Sequence, residues 1–237
     1  MRCAASLHCL PWQACQILDI TPHCIKHPRK IVFDKRGRKR PRHAVPTKKR
    51  FMKRCFDFTV SLCAILMLSP LFALLALLIY FDSGGPVLFR QPRVGRGNKL
   101  FNIYKFRTMK TDAPSAVAKE TLQDSGDYTT RIGRVLRRTS LDELPQLFNI
   151  VRGEMSVVGP RPLIPQETEI RRLRERYHVY SVRPGVTGLA QVNGRDALSI
   201  EQKARFDKEY VDNFSLWNDI KILFKTVVVV LKRDNAS

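Results

Sequence analysis

Residues 58–81 carry no charged side chain, a run of 24 residues. As a straight helix it would extend about 36 Å at about 1.5 Å per residue. That is enough to cross the hydrocarbon core of a bilayer. A helix packed in a soluble core keeps a polar stripe toward water, and this run has none. The run therefore predicts a membrane-embedded helix. Ser69-Pro70 falls at its middle, where proline removes one backbone hydrogen bond and bends the helix. Both flanks are basic. Lys48, Lys49, Arg50, Lys53 and Arg54 precede the run; Arg90, Arg93, Arg96, Lys99, Lys105 and Arg107 follow it. Basic flanks favour the cytoplasmic side of a membrane. A helix that enters, turns at Ser69-Pro70 and leaves by the same face satisfies both flanks. An ordinary kinked span with weak orientation is the alternative. No second long apolar run occurs, which excludes a multi-span protein.

Charge constrains the partners. The chain of 237 residues has 42 Lys and Arg against 21 Asp and Glu, a net of +21. Its surface seeks anions: nucleic acid, phosphate-bearing small molecules or an anionic membrane face. The first 50 residues alone hold 13 Lys and Arg against 2 Asp. Within them Lys35-Arg36-Gly37-Arg38-Lys39-Arg40-Pro41-Arg42 repels itself, and such runs do not fold alone. Residues 28–50 therefore read as a disordered basic arm. Six cysteines are too few for a disulfide scaffold. Cys3, Cys9, Cys15 and Cys24, with His8, His23 and His27, contain no C-x-x-C pair and match no usual zinc spacing. Pro11, Gln13 and Gln16 break any signal-peptide core. Met52 is an alternative start, which would make the preceding residues a mis-assigned extension.

Beyond the apolar run the pattern is α+β. Residues 86–107 read as strands interrupted by the turn residues Pro92, Gly95, Gly97 and Asn98. Helical periodicity covers 131–152, 166–178 and most of 199–233; 110–130 is polar, 155–165 extended and 182–195 rich in turns. Phe214, Trp217, Ile220, Leu223, Phe224 and Val227 form one stripe. It suits either a membrane interface, with Trp217 at headgroup height, or a packed core. The organisation is a basic extension (1–50), a membrane helix with its flanks (51–85) and a folded domain (86–233) that holds the candidate chemistry.

Asp142 and Glu143 are the candidate chemistry. They sit in Ser140-Leu141-Asp142-Glu143-Leu144-Pro145-Gln146. Leu144, Leu147, Phe148 and Val151 begin a helix there. One reading is structural: Ser140 and Glu143 form a capping box, and acids at a helix start complement its dipole. Pro145 tells against Ser140 as the cap, because it would fall inside the helix. With Asp142 as the cap it falls third, where a missing N–H costs little. The other reading is functional. Lys105 and Arg107 end a strand, Arg137 lies five residues before Asp142, Arg161 sits in the rigid Gly159-Pro160-Arg161-Pro162, and Arg195 ends Val192-Asn193-Gly194-Arg195. Guanidinium groups on rigid frames suit diphosphates. With an acidic pair they describe phosphoryl transfer, Mg²⁺ on carboxylate and arginines on the phosphate. No Walker loop, complete dinucleotide fingerprint, H-E-x-x-H or G-x-S-x-G occurs.

Taken together, these segments resemble the bacterial sugar transferase family, the monotopic phosphoglycosyl transferases. The likeness runs over 51–233. It is carried by Lys53-Arg54-Cys55-Phe56-Asp57, Ser69-Pro70, Tyr104-Lys105-Phe106-Arg107-Thr108-Met109, Ser140-Leu141-Asp142-Glu143-Leu144-Pro145-Gln146, Gly159-Pro160-Arg161-Pro162 and Arg183-Pro184-Gly185-Val186-Thr187-Gly188-Leu189-Ala190-Gln191-Val192-Asn193-Gly194-Arg195. Tyr210-Val211, Ser215-Leu216-Trp217 and Asp219-Ile220-Lys221 add to it. The resemblance implies a monotopic α+β protein with one re-entrant helix broken at Ser69-Pro70, amphipathic interfacial helices and a small β-sheet. It implies transfer of phospho-sugar from a UDP-sugar to polyprenyl (undecaprenyl) phosphate, with release of UMP. Asp142 would be the nucleophile and would form a covalent sugar-phosphate intermediate. Glu143, with Asp142, would hold Mg²⁺. Lys105, Arg137, Arg161, Arg195 and Asp219 fall on active-site positions. The implied location is the cytoplasmic face of the bacterial inner membrane, with anionic lipid as a contact, no nucleic acid, and later glycosyltransferases as further partners.

Two departures stand out. Leu189 replaces a tryptophan common in the family, and the long N-terminal domain of larger relatives is missing from this sequence. The rival readings are a membrane-anchored basic protein that binds nucleic acid or anionic lipid, and a scaffold subunit with a vestigial dyad. Which UDP-sugar, which glycan and which oligomeric state apply is not encoded in any single residue.

Overall fold

The computed structural model describes residues 45–110, 128–194 and 197–234, with side chains described to residue 230. The basic run 35–42, the four N-terminal cysteines with their histidines, most of the polar segment 110–130, and Arg195 lie outside the described residues. What is described is α+β, as expected. It holds eight α-helices and two separate two-stranded sheets where one small sheet was expected.

The apolar run folds as two helices, α1 (Thr47–Met67) and α2 (Ser69–Ser83), bent by 63° at Leu68. Among the described residues no single helix is long and apolar enough to cross a membrane. Pro70 is not inside a kinked helix. It sits in the first turn of α2, where its missing N–H leaves no bond unmade. Ser69 Oγ donates to Leu66 O at 2.9 Å and so ties the new helix to the end of the old one. Gly84, at φ 63°, ends α2 in the left-handed conformation that glycine adopts without strain. The first turn of α1 takes in Thr47 to Arg50, residues that the sequence puts in the basic arm.

Strand β1 (Leu88–Val94) pairs antiparallel with β2 (Leu100–Phe106), Leu88 opposite Phe106 and Val94 opposite Leu100. The glycine-bearing segment between them is the hairpin connection, a single 3₁₀ turn at Arg96–Asn98. Then come α3 (Arg131–Thr139), a 3₁₀ turn (Leu141–Glu143), α4 (Gln146–Arg152), β3 (Ser156–Val158), α5 (Thr168–Arg176), β4 (Gly185–Thr187), α6 (Leu189–Val192), α7 (Ile200–Asp212) and α8 (Leu216–Asp234). β3 and β4 pair in parallel. Their motifs touch backbone to backbone: a Cβ at Gly185 would lie 2.1 Å from Gly159 N, so no side chain fits there.

Helix α1 is built inside out. Its buried residues are Lys53, Asp57 and Ser61, at i, i+4 and i+8, while Phe51, Phe58, Leu62, Leu66 and Met67 are exposed. In α2 only Leu75 and Ile79 are buried, and Phe81 is 81% exposed. The α8 stripe also divides differently from the sequence pattern. Asp219 and Ile222 face inward, Phe214 is buried ahead of the helix, and Trp217, Phe224 and Val227 point outward. Packing against a core therefore does not explain the outward part of that stripe.

Candidate active site

Asp142 and Glu143 lie on the 3₁₀ turn between α3 and α4. The turn forms because α3 stops at Ser140, which takes φ 60° and ψ 16°. Ser140 makes no side-chain cap, so the expected capping box is not formed; Glu143 N instead donates to Ser140 O at 3.2 Å. Neither Ser140 nor Asp142 caps the next helix. Pro145 itself occupies the position ahead of α4, where it needs no N–H partner. The dyad is thus set on a tight turn between two helices and is not part of either.

Lys105, from β2, reaches both carboxylates. Its Nζ is 2.7 Å from Glu143 Oε1 and 3.8 Å from Asp142 Oδ2. Asp142 is 14% exposed at the side chain. Burial raises its pKa; Lys105 opposes this, Glu143 adds to it, and Arg137 opposes it in turn. Arg137, from α3, donates through Nε to Thr108 Oγ1 at 2.9 Å. Lys105, Arg137, Asp142 and Glu143 are therefore brought together.

Arg161 is exposed and follows the buried Gly159-Pro160. Its backbone is fixed by Arg174, whose Nη1 donates to Arg161 O at 2.7 Å while Nη2 pairs with the buried Asp207 at 2.6 Å. Arg93 interacts with both Arg161 and Glu143. Burial, then Arg161, lowers its pKa to about 10, against the pull of Glu167 and Glu143. Its Nη1 donates to Pro162 O at 3.2 Å. Sequence reasoning counted Arg93 only as a flanking charge and missed Arg174.

Among the described residues no contact brings Asp219 to the dyad. It is buried between Lys53 (2.7 Å) and the Tyr210 hydroxyl (2.9 Å), beside Asp57. Asp57 in turn accepts from Ser156 Oγ at 2.8 Å and Val157 N at 3.2 Å. This network ties α1 to β3, α7 and α8. Ser69 and Pro70 mark the helix break.

The bent pair also holds the dyad's supports. Arg54 of α1 donates to Ile150 O and Val151 O, the last carbonyls of α4. Asp82 at the end of α2 accepts from Ile132 N, in the first turn of α3. Phe72 meets Phe106 and Phe148. Asn149 of α4 receives Tyr104 N and donates to Asn102 O, which fixes α4 to β2 and hence to Lys105. Nothing in the local sequence marks Asn149 as the link to β2, because its partners there lie more than forty residues away.

The sequence profile described as "Bacterial sugar transferase" matches residues 48–233. The chain belongs to this family. It is 44% identical to a "UDP-galactose-lipid carrier transferase" of Erwinia amylovora, over 79% of this chain and 42% of that one. It is 47% identical to an "Undecaprenyl-phosphate glucose phosphotransferase" of Komagataeibacter xylinus, over 74% of this chain and 35% of the other. A shorter member, an "Exopolysaccharide production protein ExoY" of Sinorhizobium fredii, is 41% identical over 75% of this chain and 84% of its own length. The chain thus spans less than half the length of the first two relatives. The family's matched region opens at the first turn of α1 and ends within α8, so it contains both the bent pair and the dyad.

Proposed function

We propose that this protein transfers a sugar phosphate from a UDP-sugar to polyprenyl phosphate, as a membrane-bound phosphoglycosyl transferase. The observation that carries it is the dyad: a half-buried Asp142 that Lys105 touches less closely than it touches Glu143, on a turn braced by the bent helix pair. Asp142 Oδ attacks the phosphorus next to the sugar. The bond from that phosphorus to the bridging oxygen breaks, and UMP leaves with the oxygen. A phosphate oxygen of the polyprenyl carrier then attacks the same phosphorus, releases the Asp142 carboxylate and yields polyprenyl diphospho-sugar.

Lys105, Arg137 and Arg161 bind the diphosphate and offset its charge; Arg195 is assigned the same role from the family motif. Asp219 positions α8 against α1 and does not touch substrate. Two adjacent carboxylates fit Mg²⁺, which takes one or two carboxylates and completes its shell with phosphate oxygens and water. Glu143, with Asp142 beside it, would hold the ion, and the ion would supply charge neutralisation on the diphosphate. The exposed apolar faces of α1 and α2 lie in the cytoplasmic leaflet of a bacterial inner membrane, so the carrier's phosphate meets the dyad at headgroup height.

The test is UMP release from a panel of UDP-sugars, with undecaprenyl phosphate and Mg²⁺ in nanodiscs, beside Asp142→Asn. Turnover with one sugar, limited without lipid to about one UMP per protein and absent in the variant, is expected. Without lipid, intact-mass analysis should find one phospho-sugar on Asp142. A folded protein that neither releases UMP nor carries an adduct would sink the proposal and favour a scaffold role.

A further inference from the structure

Arg50, Arg96 and Arg183 line one small cleft, away from the dyad. They come from the first turn of α1, the β1–β2 connection and the approach to β4. Lys53, Asp57 and Ser181 also line it. The one carboxylate there is already engaged, by Lys53, Ser156 and Val157 N. Among the described residues none of the three arginines forms an ion pair. Burial, then Arg96, lowers the Arg50 pKa. Burial, then Arg96 and Arg54, lowers that of Arg183, with Asp57 opposing only in part. Two buried donors of this cleft, Arg50 Nε and Ser181 Oγ, have no hydrogen-bond partner. Buried donors are ordinarily satisfied, and leaving one unpaired is costly. Mutually repelling cations with orphaned donors among them describe a place built for an anion.

We propose that this cleft binds a phosphate-bearing anion, with one oxygen among Arg50, Ser181 and Arg183 and with Arg96 as the outer guanidinium. Its volume, ≈ 20 Å³, accommodates about one oxygen or water. Arg96 is exposed, so the rest of a larger anion lies in solvent beside it. Guanidinium forks match phosphate oxygens better than they match chloride. The cleft is separate from the reaction centre. Arg54, one turn along from Arg50, bonds the far end of α4, and the seven residues of that helix put about 10 Å between it and the dyad. The ligand is either soluble phosphate or the headgroup of an anionic phospholipid, since α1 runs from this cleft into the apolar segment. The proposal does not depend on the transfer reaction.

Thermal unfolding of the full chain in neutral detergent tests it, with inorganic phosphate or pyrophosphate titrated against chloride at equal ionic strength. Phosphate at about ten times its Kd should raise Tm by about 3 °C. Arg96→Glu puts a carboxylate where the anion would sit. It should raise Tm in chloride and abolish the phosphate response, while the exposed, charge-matched Arg172→Glu keeps it. Flotation with vesicles of phosphatidylglycerol or phosphatidylcholine separates the sources. A preference for phosphatidylglycerol that Arg96→Glu loses and Arg172→Glu retains assigns a lipid headgroup. A phosphate response in detergent without that preference assigns a soluble anion. If phosphate acts no differently from chloride, and the two variants float alike, the site does not exist.

Discussion

Asp142 is held in a place that disfavours its charge, and the sign of that effect can be tested. Burial is the largest cause of its raised pKa, and Lys105 and Arg137 only partly offset burial and Glu143. A carboxyl group whose folded pKa exceeds its unfolded value supports the fold fully below the unfolded pKa. That support is lost as pH rises through the folded pKa. Once ionised, Asp142 therefore opposes folding. Asp142→Asn should abolish UMP release yet raise Tm by about 2–4 °C, the shift that about 1 kcal/mol produces in a chain of this size. Calorimetry decides it, and a lower Tm would contradict the assignment. Lys105→Met gives a second reading of the same balance. Without that cation the Asp142 pKa rises further, so the acid limb of the pH profile of kcat/KM should move to higher pH. A limb that stays put would mean that Lys105 does not act on Asp142. Asp142, Glu143, Lys105 and Arg137 were legible because their residue types and short spacing already describe a phosphate site. Arg93 and Arg174 were not: their partners Pro162 and Asp207 are brought to them only by the fold.

At the scale of elements, sequence patterning found the β1–β2 hairpin but missed β4, which lies in a segment read as turns, and the inward faces of helices. The β1–β2 hairpin follows from two apolar runs around glycine turns. The capping box at Ser140 was a false signal, because α3 ends there in a left-handed residue and the next helix starts behind Pro145. Stripe reasoning assumes water outside and an apolar interior. In α1 and α8 the buried positions include Lys53, Asp57, Ser61 and Asp219, so apolar side chains had to point elsewhere. Lys53, Asp57 and Asp219 hold the helices together as one network, and each depends on the others. Lys53→Met would leave Asp57 and Asp219 buried without their cation. Breaking such a pair costs about 3–5 kcal/mol. Burial already raises the Asp219 pKa, against Lys53 and the Tyr210 hydroxyl. The loss should therefore be greatest at neutral pH and ease as pH falls and Asp219 protonates. Thermal unfolding across a pH series measures this. A variant as stable as the parent at neutral pH would show the network to be dispensable.

For the whole molecule, the open question is what covers the apolar faces of α1 and α2. Length does not separate a re-entrant loop from a bent span. The apolar arms, residues 58–67 and 69–81, are about 15 and 20 Å long. With a 63° bend between them, their outer ends stand about 30 Å apart, close to the thickness of a hydrocarbon core. The flanking charges favour the re-entrant loop. Lys53 and Arg54 lie before the run, and Arg90 and Arg93 lie soon after it; a span would put one of these basic groups on the wrong side. The protein contacts agree with that. Arg54 and Asp82, at opposite ends of the pair, grip the two helices that flank one dyad. A bilayer between the ends of the pair would have to pass between parts of the same site. Single cysteines at Lys48 and Gly85, in a chain whose own six cysteines are replaced by serine, should therefore both react with a membrane-impermeant maleimide in inverted inner-membrane vesicles. Neither should react from outside intact spheroplasts. Labelling of one site in each preparation would establish a span, and the re-entrant arrangement would then be abandoned.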